Sequence, residues 1–242
     1  MKRMILACLA TALLSAAPAT ASAAIFVPAG VAPGSQYQLA FVTSQIDAPM
    51  ENWQQHGDIE YYDTFVNNSA NAAGIGPNSP GGVQWHAVVS IWGPTYGSVD
   101  AIDNAPVTAP LYNMNGDLVA NSSADLWDGT LQNPIHYMES GAIHEGGPNL
   151  GVYTGTLANG VGSDYRLPGY WATYGWDFAT DSAWVYNGGL GAGIARSYYA
   201  ISDPITAPGD ATVPEPTTLA IWSLLGGHGL TIGWWRRRRA KA

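Results

Sequence analysis

Between positions 164 and 177 the sequence gathers five aromatic side chains, Tyr165, Tyr170, Trp171, Tyr174 and Trp176, around Asp164, Arg166 and Asp177. An aromatic ring stacks on the C–H face of a neutral sugar, and a neighbouring carboxylate accepts from its hydroxyls. The five are therefore a candidate glycan-binding platform. Large aromatic side chains also pack irregular segments onto a sheet, and composition alone favours that role for them.

Other chemistry has thinner support. Asp100 with Asp103, or Glu139 with Glu145, could act as the acid and base of a glycoside hydrolase, which needs two carboxyls at a set separation. Seventeen acids between positions 24 and 212 make such pairs common by chance. His144-Glu145 runs into Gly146-Gly147 rather than a second histidine, which excludes a zincin helix. His56, His86, His136 and His144 are dispersed and are expected to be surface or hydrogen-bonded residues, not metal ligands. No Gly-x-Ser-x-Gly elbow occurs. The glycine-rich stretch 155–162 lacks the Lys-Ser/Thr of a phosphate loop. The only cysteine, Cys8, lies in the leader, so the rest of the chain has no thiolate, disulfide or cysteine metal site. No catalytic residue and no cofactor is expected, and no motif supports calcium.

These side chains need a scaffold. Tyr37 to Thr43 alternates large apolar and smaller residues, the pattern of a first strand. Ile59, Tyr62, Phe65, Val66, Ser69, Ala70 and Ala73 recur at spacings of three and four. That spacing predicts an amphipathic helix opened by Asp58 and closed by Gly74. Val83 to Trp92 predicts a second strand with Val83, Trp85, Ala87, Val89 and Ile91 on one side. Asn115-Gly116 is a favourable hairpin turn, and Ser122 or Ser123 can cap a short helical turn before Gly129. Trp85 and Trp127 are expected in the core. Residues 24–36 read as a mobile lead-in, 130–182 as loop-rich, and Ser197 to Ser202 as a closing strand. The class is α+β: mostly short strands, one early helix and a long irregular second half.

The two ends carry addresses. Lys2-Arg3, the apolar stretch Met4 to Ala17 and Ala21-Ser22-Ala23 have the order of a secretory signal peptide, cleaved before Ala24. At the other end Pro214-Glu215-Pro216 precedes a 17-residue apolar run, Leu219 to Trp235, and then Arg236, Arg237, Arg238 and Arg239. The run is near the lower limit for crossing a bilayer, and the arginines would hold its end on the cytoplasmic side. This succession resembles the PEP-CTERM sorting signal of bacterial surface proteins. The resemblance implies an exosortase-type membrane protease as partner, removal of the tail, and delivery to the cell surface or exopolysaccharide matrix. The expected organisation is a signal peptide (1–23), a passenger domain (24–202), a linker (203–212) and the sorting signal (213–242).

Processing would change the charge. Between positions 24 and 212 the cations are Arg166 and Arg196, two against seventeen acids, so the passenger carries −15. A surface this acidic repels nucleic acid and anionic polysaccharide.

The order of elements in the passenger resembles the endostatin branch of the C-type lectin-like fold. The resemblance runs through Phe41-Val42-Thr43-Ser44, an early helix, Leu111-Tyr112 with Asn115-Gly116, and Trp127-Asp128-Gly129. It continues with Val152 to Thr156, Trp171 and Tyr198-Tyr199-Ala200-Ile201. It implies that the first and last strands pair and that an irregular region fills the second half. The branch's disulfides, arginine-rich heparin surface and zinc histidines have no counterpart here. The calcium-dependent sugar motifs of the wider fold are also absent, since Gly76-Pro77-Asn78 and Gly147-Pro148-Asn149 lack the acid. The expectation is a non-enzymatic surface protein with a structural or adhesive, glycan-binding passenger; the alternative is a secreted glycan-active hydrolase using carboxylates near the aromatic cluster.

Overall fold

The computed structural model describes residues 25–49, 56–93, 97–145 and 151–209. The signal-cleavage residues Ala21, Ala23 and Ala24 and the sorting residues Pro214, Glu215, Pro216 and Arg236 to Arg239 lie outside the described residues, as does the apolar run. Among the described residues no helix is long and apolar enough to cross a membrane.

The class is α+β. In chain order the elements are β1 (Gln36–Val42), α1 (Ile59–Ala72), β2 (Trp85–Ala87), α2 (Ala101–Asn104), β3 (Leu111–Asn113), β4 (Leu118–Ala120) and α3 (Ser123–Leu126). Then follow β5 (Val152–Tyr153), β6 (Trp171–Gly175), a 3₁₀ turn (Ser182–Trp184), β7 (Gly189–Gly191), β8 (Tyr199–Ser202) and β9 (Ile205–Thr206). The main sheet runs β2-β8-β1-β3-β4, with β9 also on β1, and β5-β6-β7 form a second sheet. Only the β1–β3 pair in the main sheet is parallel.

β1 lies at the centre of two cores, which is why its residues are apolar on both sides. Tyr37, Leu39 and Phe41 face one core with Trp85, Tyr198, Ala200 and the inner face of α1. Ala40 and Val42 face the other with Leu111, Val119, Leu126, Trp127, Trp184, Tyr199 and Ile201. Alternation at period two sends neighbours in β1 and β8 to opposite cores.

α1 forms where the spacing predicts it. Asp58 accepts from the Glu60 backbone N–H at 3.1 Å, and Gly74 follows the helix end at φ +80°. Tyr62, Val66, Ser69 and Ala70 are buried. So is Asn67, whose side chain bonds both backbone groups of Trp85 and ties the helix to β2. The second strand is shorter than expected, because beyond Ala87 the backbone changes partners at each step. Val88 bonds Tyr199, Ser90 bonds Thr154, Ile91 bonds Val99 and Trp92 bonds Leu167. The alternation survives this, since Trp85, Ala87, Val89 and Ile91 share one core and Val88 lies in the other.

Two boundaries move. Residues 25–35 are not a loose lead-in: Ile25 is buried and Val27 and Val31 pack on the first core. Residues 205–206, expected within the linker, form β9 on Gln36 and Tyr37, and Ala207 is buried behind them.

Candidate functional site

The second sheet explains where the aromatic side chains go. In β6 the alternation puts Trp171 and Thr173 on one face and Ala172 and Tyr174 on the other. Across β7, Gly191 is the partner of Trp171 and Gly189 the partner of Thr173. The Trp171 face therefore has a floor of two glycines. Over Gly189 lies the Tyr165 ring, close enough that a Cβ there would sit 3.1 Å from it. Over Gly191 a Cβ would meet nothing within 4 Å. The result is an open shelf, with Trp171 on one side and Tyr165 about 7 Å along the strand, two residues at roughly 3.4 Å each.

The shelf is built from the backbone. Thr173 N–H donates to Tyr165 O at 2.8 Å, Ala192 N–H donates to Tyr170 O at 3.1 Å, and the buried Ser163 and Thr173 hydroxyls lie 2.6 Å apart. Tyr153 Oη donates to the carbonyl oxygens of Gly191 and Ile194, both at 2.9 Å, and holds β7 from the opposite side. Trp171 is 50% exposed, Tyr165 47% and Tyr170 70%. Tyr165 packs its ring over Gly189 and still keeps about half of its surface in solvent, as does Trp171. The wider surface agrees: among the described residues, seven of the eleven exposed large apolar side chains fall between positions 161 and 194.

Tyr174 and Trp176 do not join that shelf. Both are half-buried. Tyr174 covers Gly151, where a Cβ would clash with its ring, and its Oη accepts from Asn187 Nδ2 at 3.1 Å. Trp176 packs between Tyr174 and Phe178 with ring centroids 5.6 and 5.5 Å away. For this pair the packing role is the one seen.

The remaining charged candidates separate as well. Arg166 pairs with Asp100 at 2.9 Å and lies 4.7 Å above the Trp92 ring, so Asp100 is committed to an ion pair. Glu139 is buried and accepts from the Ser44 backbone N–H and hydroxyl. Asp103, Glu145 and Asp164 are exposed. Asp177 is buried against His144, far in character from a solvent-facing acid.

Of the four described histidines, three have carboxylate partners, while His136 packs beside the Tyr137 ring with centroids 4.3 Å apart. His56 lies 3.0 Å from Asp47, whose carboxylate also accepts from Tyr198 Oη at 3.0 Å. Burial alone would raise the Asp47 carboxyl; the hydrogen bonds of His56 and Tyr198 and the His56 charge outweigh it and hold the group below its usual value. Tyr61 beside it is pushed up to about 12 by burial and by the Asp47 charge. His86 lies between Asp63 (3.4 Å) and Asp203 (3.0 Å). The Asp63 hydrogen bond raises its pKa, against burial and with help from Asp203. His144 contacts Asp177 and Ser197. Sequence reasoning noted His144 and Asp177 separately and saw in Ser197 only the start of a strand; nothing local in the chain links the three.

A comparison with known proteins adds no relative: no protein-family model matches the chain, and no curated protein matches its sequence.

Proposed function

We infer that this chain is an exported surface or extracellular-matrix protein whose folded passenger binds neutral glycan on the shelf of Trp171 and Tyr165. The observation that carries the reading is two half-exposed aromatic rings on either side of Gly191, where a Cβ would meet nothing within 4 Å. An exposed ring desolvated by a sugar face gains apolar contact that water cannot supply, and the missing Cβ of Gly191 lets the ligand approach the strand itself. Tyr170, the most exposed of the set, extends the aromatic surface beside Trp171.

The address is the PEP-CTERM resemblance of Pro214-Glu215-Pro216 and Arg236 to Arg239, with an exosortase-type protease as processing partner and exopolysaccharide as the matrix component. The corresponding fold is the C-type lectin-like arrangement of the endostatin branch. Pairing of β1 with β8, the early position of α1 and the β3–β4 hairpin support it. The role is structural or adhesive.

The test is a glycan array probed with the full chain in mild detergent, with and without calcium. Binding is expected in both conditions and is lost in Trp171→Ala. Absence of binding in either condition overturns the glycan reading. For the address, replacing Pro214-Glu215-Pro216 with alanines should leave the tail uncut and the protein in the inner membrane; normal surface delivery of that variant overturns it.

A further inference from the structure

We propose that Ser197, His144 and Asp177 form a nucleophilic acyl-transfer site, with short-chain acyl esters as its substrate class. Ser197 Oγ lies 3.1 Å from His144 Nε2, and Asp177 Oδ2 lies 2.8 Å from His144 Nδ1. The two imidazole nitrogens are thus divided between a hydroxyl and a carboxylate, in the order that activates a serine. In the tautomer protonated on Nδ1, that N–H donates to Asp177, and Nε2 accepts from the Ser197 hydroxyl.

The three come from separate parts of the fold, and each is fixed. His144 closes the bridged segment 137–143 that lies beside β1, its N–H donating to His136 O at 2.8 Å. Asp177 follows β6 and is held where Trp176 N–H donates to Ala183 O at 2.8 Å. Ser197 leads into β8, and its carbonyl accepts from Tyr153 N–H at 3.0 Å. A packed-in hydrogen-bond chain needs only satisfied partners. This one instead places an acceptor-only carboxylate, 2% exposed, behind the imidazole. That is the arrangement that keeps the proton on Nδ1 and stabilises an imidazolium once Nε2 takes another. His144 is the member that reaches solvent, with its side chain 12% exposed, while Ser197 is 2% exposed. With Ser197 this enclosed, the substrate class is restricted to small acyl groups. The glycan shelf uses other residues, so this proposal does not rest on it.

The reaction balances within the three groups, an ester and water. Ser197 Oγ bonds to the ester carbonyl carbon as its proton passes to His144 Nε2. The C–O bond to the alcohol then breaks, and the alcohol leaves with that proton. Water gives a proton to Nε2 as its oxygen bonds to the acyl carbon, and Ser197 Oγ leaves with the proton, releasing the carboxylic acid. Asp177 keeps its charge throughout.

The experiment treats the native full chain with a fluorophosphonate probe, with the heat-denatured chain as control, and maps the label by mass spectrometry. In parallel it follows hydrolysis of p-nitrophenyl acetate and p-nitrophenyl octanoate. Expected are labelling of Ser197 in the native chain alone and faster turnover of the acetate ester. Hydrolysis should fall at least about a hundredfold in Ser197→Ala and His144→Gln. An unlabelled Ser197 in the native wild-type chain overturns the proposal, as does ester hydrolysis that persists in Ser197→Ala. Labelling is read on the wild-type protein, so a variant that fails to fold does not blunt the test. Failure here would leave glycan binding by Trp171 untouched.

Discussion

Gln38 in β1 donates from Nε2 to the Ser202 carbonyl at 2.7 Å, while Ser202 Oγ accepts from the Leu39 N–H at 2.9 Å, so the first and last long strands are joined by side chains as well as by their ladder. The Gln38 amide makes two further classes of contact. Its Nε2 also donates to Pro106 O at 3.0 Å, and its Oε1 accepts from Thr108 N–H at 2.7 Å and Ala109 N–H at 3.1 Å. Gln38→Leu would strand these buried groups. The expected loss is about 3 kcal/mol or more, measured as a shift of the urea midpoint at unchanged slope; a loss below about 1 kcal/mol would show that the loop re-forms its bonds elsewhere.

Gly155 and Gly188 both have positive φ, at +64° and +120°, but their surroundings differ. A Cβ on Gly155 would sit 2.4 Å from the Ser90 carbonyl oxygen and 3.0 Å from the Leu167 nitrogen, whereas one on Gly188 meets nothing within 4 Å. Gly188→Ala should cost about 1 kcal/mol from backbone conformation alone. Gly155→Ala should cost several times that, or prevent folding. Comparable melting temperatures for the two variants would contradict this ordering.

On the shelf, Gly191→Phe places a ring on the open floor without the strain of a positive φ. Glycan binding should drop at least tenfold, about 1.4 kcal/mol, with melting temperature nearly unchanged. Trp176→Ala should do the reverse, lowering stability while leaving affinity intact. Isothermal titration beside thermal unfolding separates the two effects; equal affinity losses in both variants would refute the division of the aromatic set.

Stability should respond to pH on both the alkaline and the acid side. The raised pKa of His86 means that its bonds to Asp63 and Asp203 contribute fully below about 6.5, the unfolded value, and are lost as pH rises through the folded value. The lowered Asp47 works in the opposite sense: its contribution is present above the usual 3.8 and is lost as pH falls through the folded value. His86→Gln should flatten the alkaline side of the urea midpoint against pH, and Asp47→Asn the acid side. Unchanged profiles in both variants would show that these pairs do not couple to folding.

What the chain revealed in advance follows from how local each signal is. α1 was legible because its cap and its apolar face lie within sixteen residues, Asp58 to Ala73, and the β3–β4 turn because Asn115-Gly116 announces it. Gln38 was hidden, since a polar residue between apolar neighbours looks the same whether it faces water or, as here, four backbone groups. The exposure of Trp171 depends on two glycines in another strand, and its periodicity carries no trace of them. Ser197 and Asp177 meet at His144 across sequence separations of 53 and 33 residues, which no local motif spans.

β9 gives the domain one further property. Gly34 N–H donates to Ala207 O at 3.0 Å, and Ala207 N–H donates to Ser35 O at 2.8 Å, so the segment before β1 and the segment after β8 run side by side. A force that draws these two segments apart must therefore break this ladder before it reaches the strands of either core.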